Sequence, residues 1–116
     1  MINIESTVIE YLNTALSSVP TYGEVPNSPN NEGEFFVVDK TASETENGLC
    51  TAVIAISSYA GTKARASELN LELIETMDGI TDLDSIADCH LRDDYNFTNV
   101  AKKQHRYQAE FEITHY

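Results

Sequence analysis

The residues best suited by type to acid-base or metal chemistry are His90 and its acidic neighbours Asp88, Asp93 and Asp94, with His105 as an addition from across a turn. An imidazole among carboxylates can hold a divalent cation or relay a proton. The spacing argues against both uses. Ala87, Cys89 and Leu91 alternate with polar residues as in a half-buried strand. On such a strand Asp88 and His90 share a face while Asp93 falls on the other. Nothing nearby has the i, i+4 geometry of a helical metal pair. The segment reads as solvated charge on a strand and its turn, and a metal-dependent enzyme built on Asp88, His90 and Asp94 is the weaker alternative.

Nucleophile patterns are equally thin. Ser57-Ser58-Tyr59-Ala60-Gly61 precedes a helical pattern but has no glycine before its serines, so it reads as a strand-to-helix turn and not as a nucleophile elbow. Gly23, Gly33, Gly48, Gly61 and Gly79 are isolated, which leaves no phosphate-cradling loop or dinucleotide fingerprint. Cys50 and Cys89 match no zinc or redox spacing and read as free, buried, small apolar side chains. His105 and His115 share the apolar parity of the last strand and read as packed positions, not ligands. The expectation is a protein that is not an enzyme and has no cofactor, metal or catalytic residue.

The elements that position these residues follow from periodicity. Ile4, Val8, Tyr11, Leu12, Ala15 and Leu16 recur at helical spacing, with Asn3 as cap and Pro20 as stop. A short strand fits Thr21 to Val25, and Pro26 to Gly33 reads as a long loop. Phe35-Phe36-Val37-Val38 and Leu49 to Tyr59 read as strands joined through the polar stretch Ala42 to Gly48, an antiparallel hairpin with a loop longer than two residues. Ala66, Leu69, Leu73, Ile74 and Met77 form the stripe of a second helix capped by Thr62 and stopped before Gly79. In the last segment His105, Tyr107, Ala109, Phe111, Ile113 and His115 point one way, and Arg106, Gln108, Glu110, Glu112 and Thr114 the other. The order α-β-β-β-α-β-β predicts one α+β domain over residues 1–116. Its antiparallel or mixed sheet of four to five strands carries both helices on one face and leaves the other wet or reserved for a partner.

Composition bounds the partners. The 116 residues include 19 Asp and Glu against 7 Lys and Arg, a formal charge of -12, and 41% are hydrophobic. That apolar fraction supports a core. The charge disfavours stable nucleic-acid binding, which needs clustered cations, and docking on anionic membranes. No apolar run approaches a membrane span, and no basic leader precedes Ile2 and Ile4, so no secretory signal is read and residence in a cytosol is expected.

The charges are unevenly placed. Lys102, Lys103 and Arg106 cluster, whereas Asp78, Asp82, Asp84, Asp88, Asp93 and Asp94 face only Arg92 in their segment. Two readings stay open. One is a salt-bridged hairpin within the chain. The other is a heterologous subunit contact, in which Lys102, Lys103 and Arg106 of one copy meet Asp93 and Asp94 of the next, the arrangement that closes rings.

The ordered pattern resembles the tail terminator and tail completion proteins of long-tailed bacteriophages, the lambda-type minor tail proteins. The resemblance is carried by Glu34-Phe35-Phe36-Val37-Val38, by Ala52-Val53-Ile54-Ala55-Ile56, and by Ser58-Tyr59-Ala60-Gly61-Thr62-Lys63-Ala64-Arg65-Ala66 entering a helix. It continues through Asp93-Asp94-Tyr95-Asn96 and Arg106-Tyr107-Gln108-Ala109-Glu110-Phe111-Glu112-Ile113, and so covers nearly the whole chain. It implies a small α+β subunit of a hexameric ring that caps the tail tube, stops its polymerisation and presents a surface for head joining. The implied partners are copies of itself, the tail tube protein and a head completion protein. The implied location is the head-proximal end of the virion tail, with the host cytoplasm during assembly. The acidic composition is consistent with this, since an acidic protein suits a channel through which DNA slides without sticking. The alternatives are a head-side completion protein of similar fold and an acidic inhibitor that mimics DNA.

Overall fold

The computed structural model describes residues 1–99 and 104–116. Helix α1 spans Ile4–Ala15, and its Asn3 cap accepts a hydrogen bond from the Ser6 amide at 3.2 Å. Ile4, Val8 and Leu12, one helical turn apart, are its buried stripe. Asn13, on the opposite side, acts as a surrogate strand. Its side-chain oxygen accepts from the Thr21 amide at 2.9 Å and its Nδ2 donates to the Thr21 carbonyl at 3.1 Å, which ties the short strand β1, Thr21–Tyr22, to the helix.

Strands β2, Phe35–Glu46, and β3, Leu49–Ala60, form a long hairpin. Its connection is shorter than expected. Only Asn47 and Gly48 lie outside the strands, with φ of 52° and 81°, the paired positive values of a type I′ turn. The polar stretch from Ala42 to Glu46 continues β2 instead of looping. It is exposed because β2 is an edge strand there, so its polarity reflects water on both faces and not a turn.

Helix α2, Lys63–Met77, begins at Thr62, whose hydroxyl accepts from the Arg65 amide at 3.2 Å, and buries Ala66, Leu69, Asn70, Leu73 and Met77. Arg65 grips Glu34 at the mouth of β2 with two hydrogen bonds, Nε to Oε2 at 2.7 Å and Nη2 to Oε1 at 3.1 Å. Strands β4, Ile86–Asn96, and β5, His105–His115, close the chain as an antiparallel hairpin.

The sheet order is β1-β2-β3-β5-β4, with β1 parallel to β2 and every other pair antiparallel. Helix α2 therefore carries the chain from β3 past the place that β5 fills, and β4 becomes the outer strand. Both helices lie on one face, α1 over β1 and β2, α2 over β3, β5 and β4. The architecture is the expected α+β fold. Between them they cover a core of Phe36, Val38, Ala52, Ile54, Ile56, Ala109, Phe111 and Ile113 from the sheet, with Val8, Leu12, Leu69, Leu73, Met77 and Ile80 from above. The parity of β5 is as the sequence reads: Phe111 is 2% exposed, whereas Glu110 is only half-buried on the other face.

The two helices are joined by one polar contact. Tyr11 of α1 donates its hydroxyl to the Thr76 carbonyl at 2.6 Å, in the last turn of α2. A Cβ on Gly79 would stand 2.7 Å from that hydroxyl oxygen, so the glycine leaves room for the bond. Burial raises the Tyr11 phenol above its ordinary pKa, assisted by the charges of Asp82 and Cys89.

Two stability predictions follow from this packing. Phe111→Ala should cost about 3 to 5 kcal/mol, measured by urea denaturation. Gly79→Ala and Tyr11→Phe should each cost about 1 kcal/mol, because each removes the Tyr11 hydrogen bond. The double variant should cost clearly less than their sum, and full additivity would show that the methyl group and the hydroxyl do not compete.

Candidate interaction site on the open sheet face

The cluster around His90 does not assemble as a catalytic centre. His90 is exposed, with Nδ1 3.3 Å from Asp88 Oδ2 and Nε2 3.9 Å from Glu112 Oε2. Arg92 Nε lies 3.9 Å from the same Glu112 oxygen. Such exposed pairs contribute little. His105 sits seven residues along β5 from Glu112, the residue that faces His90, which at 3.4 Å per residue separates the two histidines by roughly 24 Å.

The expected faces of β4 need correcting. Register shifts between Ile86 and Asp88, and between Leu91 and Asp93, each insert an unpaired residue. A bulge of this kind flips the parity that follows it. Asp93 thus faces Glu110, on the same side as Asp88 and His90, and Asp94 turns to the helix side opposite Ala109. The alternation holds from Asp88 to Leu91, with Cys89 facing Ile113 and Leu91 facing Phe111, but Ala87 is exposed at the first bulge and Leu91 is 38% exposed, so of the three only Cys89 is half-buried.

The proposed interface residues are accordingly split. Asp94 Oδ2 accepts from Nδ2 of the buried Asn70 on α2 at 2.9 Å, and Asp93 Oδ1 accepts from the Asp94 amide at 2.9 Å. Lys102 and Lys103 lie outside the described residues. Arg106 pairs with neither aspartate, and among the described residues no carboxylate lies within ion-pairing distance of it.

Arg106 is held by a different set of groups. The register aligns Phe35, Tyr59 and Arg106 across β2, β3 and β5, and the Phe97 amide closes the row on the Arg106 carbonyl at 2.9 Å. The guanidinium lies 4.5 Å from the Phe97 ring centroid and 5.6 Å from that of Tyr59. Its Nε donates to the Phe97 carbonyl at 2.8 Å and Nη1 donates to the Tyr59 hydroxyl at 2.7 Å. Tyr59 in turn stacks on Phe35 at 4.5 Å, and Tyr22 meets Phe35 edge-on at 6.1 Å. Two aromatic rings and two hydrogen bonds therefore fix the cation in orientation.

The next row is polar and neutral. Ser57 donates to Gln108 Oε1 at 3.1 Å, Gln108 Nε2 donates to the Tyr95 hydroxyl at 2.8 Å, and Tyr95 donates to Glu110 Oε1 at 3.4 Å. A depression of about 370 Å³ opens over this region, lined by Gly23, Glu24, Val37, Asp39, Tyr59 and Arg106 among others. Farther along, the same face carries Asp93, Glu110, Glu112 and Asp88, and it ends at Glu44 and Glu46 beside the β2–β3 turn. The face thus runs from a framed cation to carboxylates along the strand direction.

Among the described residues, no three His, Cys, Asp or Glu side chains gather as a metal site. No helix among them is long and apolar enough to cross a membrane. Both cysteines are free, Cys50 buried and Cys89 half-buried. Burial, with the charges of Asp88 and Asp78, pushes the Cys89 thiol up to about 12. What this face offers chemically is recognition through fixed donors, acceptors and charge.

Sequence reasoning placed Arg106 and Gln108 on the correct face but missed Tyr59, Phe97 and Tyr95 as their partners. The signal for Tyr59 was its place at the end of an apolar run. Phe97 carried none, because it follows a strand whose bulges alter the count.

No family model matches the chain, and no curated protein matches it in sequence.

The thiol environment gives a pH prediction. Because Cys89 binds its proton more tightly folded than unfolded, it stabilises the fold fully below pH 9, its ordinary value, and that stability is lost as pH rises toward 12. Cys89→Ala should flatten the alkaline limb of a stability-against-pH curve. Native protein at pH 8 should react slowly with a thiol-specific disulfide reagent and reveal two thiols only in urea. Fast labelling of one thiol in the native state would contradict this burial.

Proposed function

We propose that the protein is a virion structural subunit of a long-tailed phage or prophage, a tail terminator that rings the end of the tail tube, stops its polymerisation and supplies the surface for head joining. The observation that carries this reading is the division of the sheet. One face is sealed by helices, and the other is an ordered, charged recognition surface bordered by two free edges. Strand β1 pairs with only Phe36 and Val37 of β2, so among the described residues the rest of that edge has no strand beside it, and β4 forms the opposite edge. Exposed edges invite pairing and are managed by charge and bulges. Here Glu5 accepts from the Lys40 amide at 2.9 Å, and β4 carries two bulges with Asp88, Arg92 and Asp93 beside them. Edges restrained in this way favour a chosen partner over indiscriminate stacking.

The element order and the residues of the closing hairpin further support the terminator reading, through their resemblance to tail terminators. A head-side completion role would use the same kind of surface. A DNA mimic would instead set its carboxylates along the whole of one face, whereas here Arg106 occupies one end and Arg92 lies 3.9 Å from Glu112.

Removing the chain from the phage or prophage that encodes it should give overlong, headless tails by electron microscopy, and supplying it in trans should restore tail length. Lys102→Glu with Lys103→Glu should reproduce the tail defect, with the fold checked by circular dichroism. Tails of normal length in the absence of the chain would refute the terminator role. Normal tails with the double variant would remove only these lysines from the mechanism.

A further inference from the structure

We infer that the aromatic-framed Arg106 corner is a receptor for the Glu44 and Glu46 corner of a second copy of this chain. The inference rests on the reading of the protein as a self-assembling subunit and names the contact that would join its copies.

The first ground is unmet bonding capacity. A guanidinium has five N–H donors, and Arg106 uses Nε–H and one Nη1–H within the chain. The other three have no acceptor among the described residues. Its orientation is already fixed by Phe97, Tyr59 and two hydrogen bonds, so capturing a carboxylate costs little further side-chain entropy. Phe97, 45% exposed, gives the corner an apolar rim.

The second ground is the complementary corner. Glu44 and Glu46 face Thr51 and Leu49, so both carboxylates lie on the same side of the sheet as Arg106. They border a shallow depression with Leu49, Thr51 and Thr114. Neither carboxylate has an ion-pair or hydrogen-bond partner among the described residues. Charge complementarity, together with an apolar residue in each corner, makes the two patches a match.

The third ground is placement. The Arg106 corner lies at the β5 and β4 side of the sheet, and the glutamate corner at the β2 side, eight residues or roughly 27 Å farther along the strands. One contact therefore leaves an unused patch on each copy, the condition for a head-to-tail interface that closes into a ring or extends as a filament. Two-fold stacking of open faces could engage both patches at once, but it would press Asp93, Glu110 and Glu112 toward their own counterparts. Like charges brought together in this way are strongly unfavourable. Glu24 and Asp39, on the far wall of the Arg106 depression, favour approach from the Phe97 side for the same reason.

The test is sedimentation equilibrium of full-length protein across concentration, at low and physiological ionic strength, on wild type and two charge reversals. Glu46 is exposed at the end of β2, so Glu46→Arg should leave the fold intact, and both variants are checked by circular dichroism. Each alone should weaken self-association by about tenfold or more. An equimolar mixture should recover one contact of wild-type strength and form a heterodimer, because each variant retains the corner that the other has lost. Should Arg106→Glu fail to fold, Glu46→Arg alone decides, through the tenfold loss. Wild-type protein that stays monomeric throughout, Glu46→Arg that associates like wild type, or a mixture no stronger than its components would each overturn the contact. The tail-length measurement is independent of these outcomes, so a terminator that assembles through other residues would be recognised as such.

Discussion

Everything in this structure depends on the two-residue alternation of β5 and its insertion between β3 and β4. Ala109, Phe111, Ile113 and His115 are buried on one side while Arg106, Gln108, Glu110, Glu112 and Thr114 stand on the other. A slip of one residue would bury Glu110 and Glu112 beneath α2 and expose Phe111. Desolvating two carboxylates without partners costs far more than the register could recover elsewhere. The same constraint that seals the core therefore places Arg106 opposite Tyr59. Core and recognition surface are the two sides of one pairing decision.

Burial on the open face is graded along the strands. At the Arg106 end Phe35 and Tyr59 are nearly inaccessible, although both lie on the side away from the helices. The chain after β1 accounts for this: Tyr22 packs on Phe35, and Gly23 and Glu24 line the adjoining depression. At the other end β2 is exposed from Asp39 onward. A cation held against the buried Tyr59 ring is screened less by salt than one in open water, and the exposed Glu44 and Glu46 carboxylates are screened more. The face is thus preorganised at one end and solvated at the other.

Much of the fold was legible because its signals were local. Asn3 and Thr62 as caps, the stripes of α1 and α2, and the alternation of β5 all follow from residue type and spacing, and the structure has each of them. The features that escaped depend on neighbours. Ala42 to Glu46 reads as a loop because an edge strand with water on both faces has the same polarity as a turn. The parity of β4 failed after Leu91 because a bulge adds a residue that sequence alternation cannot announce. The aromatic frame of Arg106 was invisible for the same reason. It is assembled from β2, β3, β5 and the residue that follows β4, and only the sheet order brings these together.

The excess of negative charge bears on assembly through range, not through any single pair. At physiological ionic strength repulsion between whole subunits decays over about 8 Å, whereas a contact between desolvated groups at hydrogen-bonding distance is little affected. Added salt should therefore lower the barrier to approach faster than it weakens a framed arginine-carboxylate contact. If the chain self-assembles as proposed, long-range repulsion would keep free copies apart in dilute solution, and short-range complementarity would act once concentration brings them together. With that separation of ranges, an acidic chain that is dispersed when dilute could still associate at higher concentration through a surface on which Arg106 is already oriented by Tyr59 and Phe97.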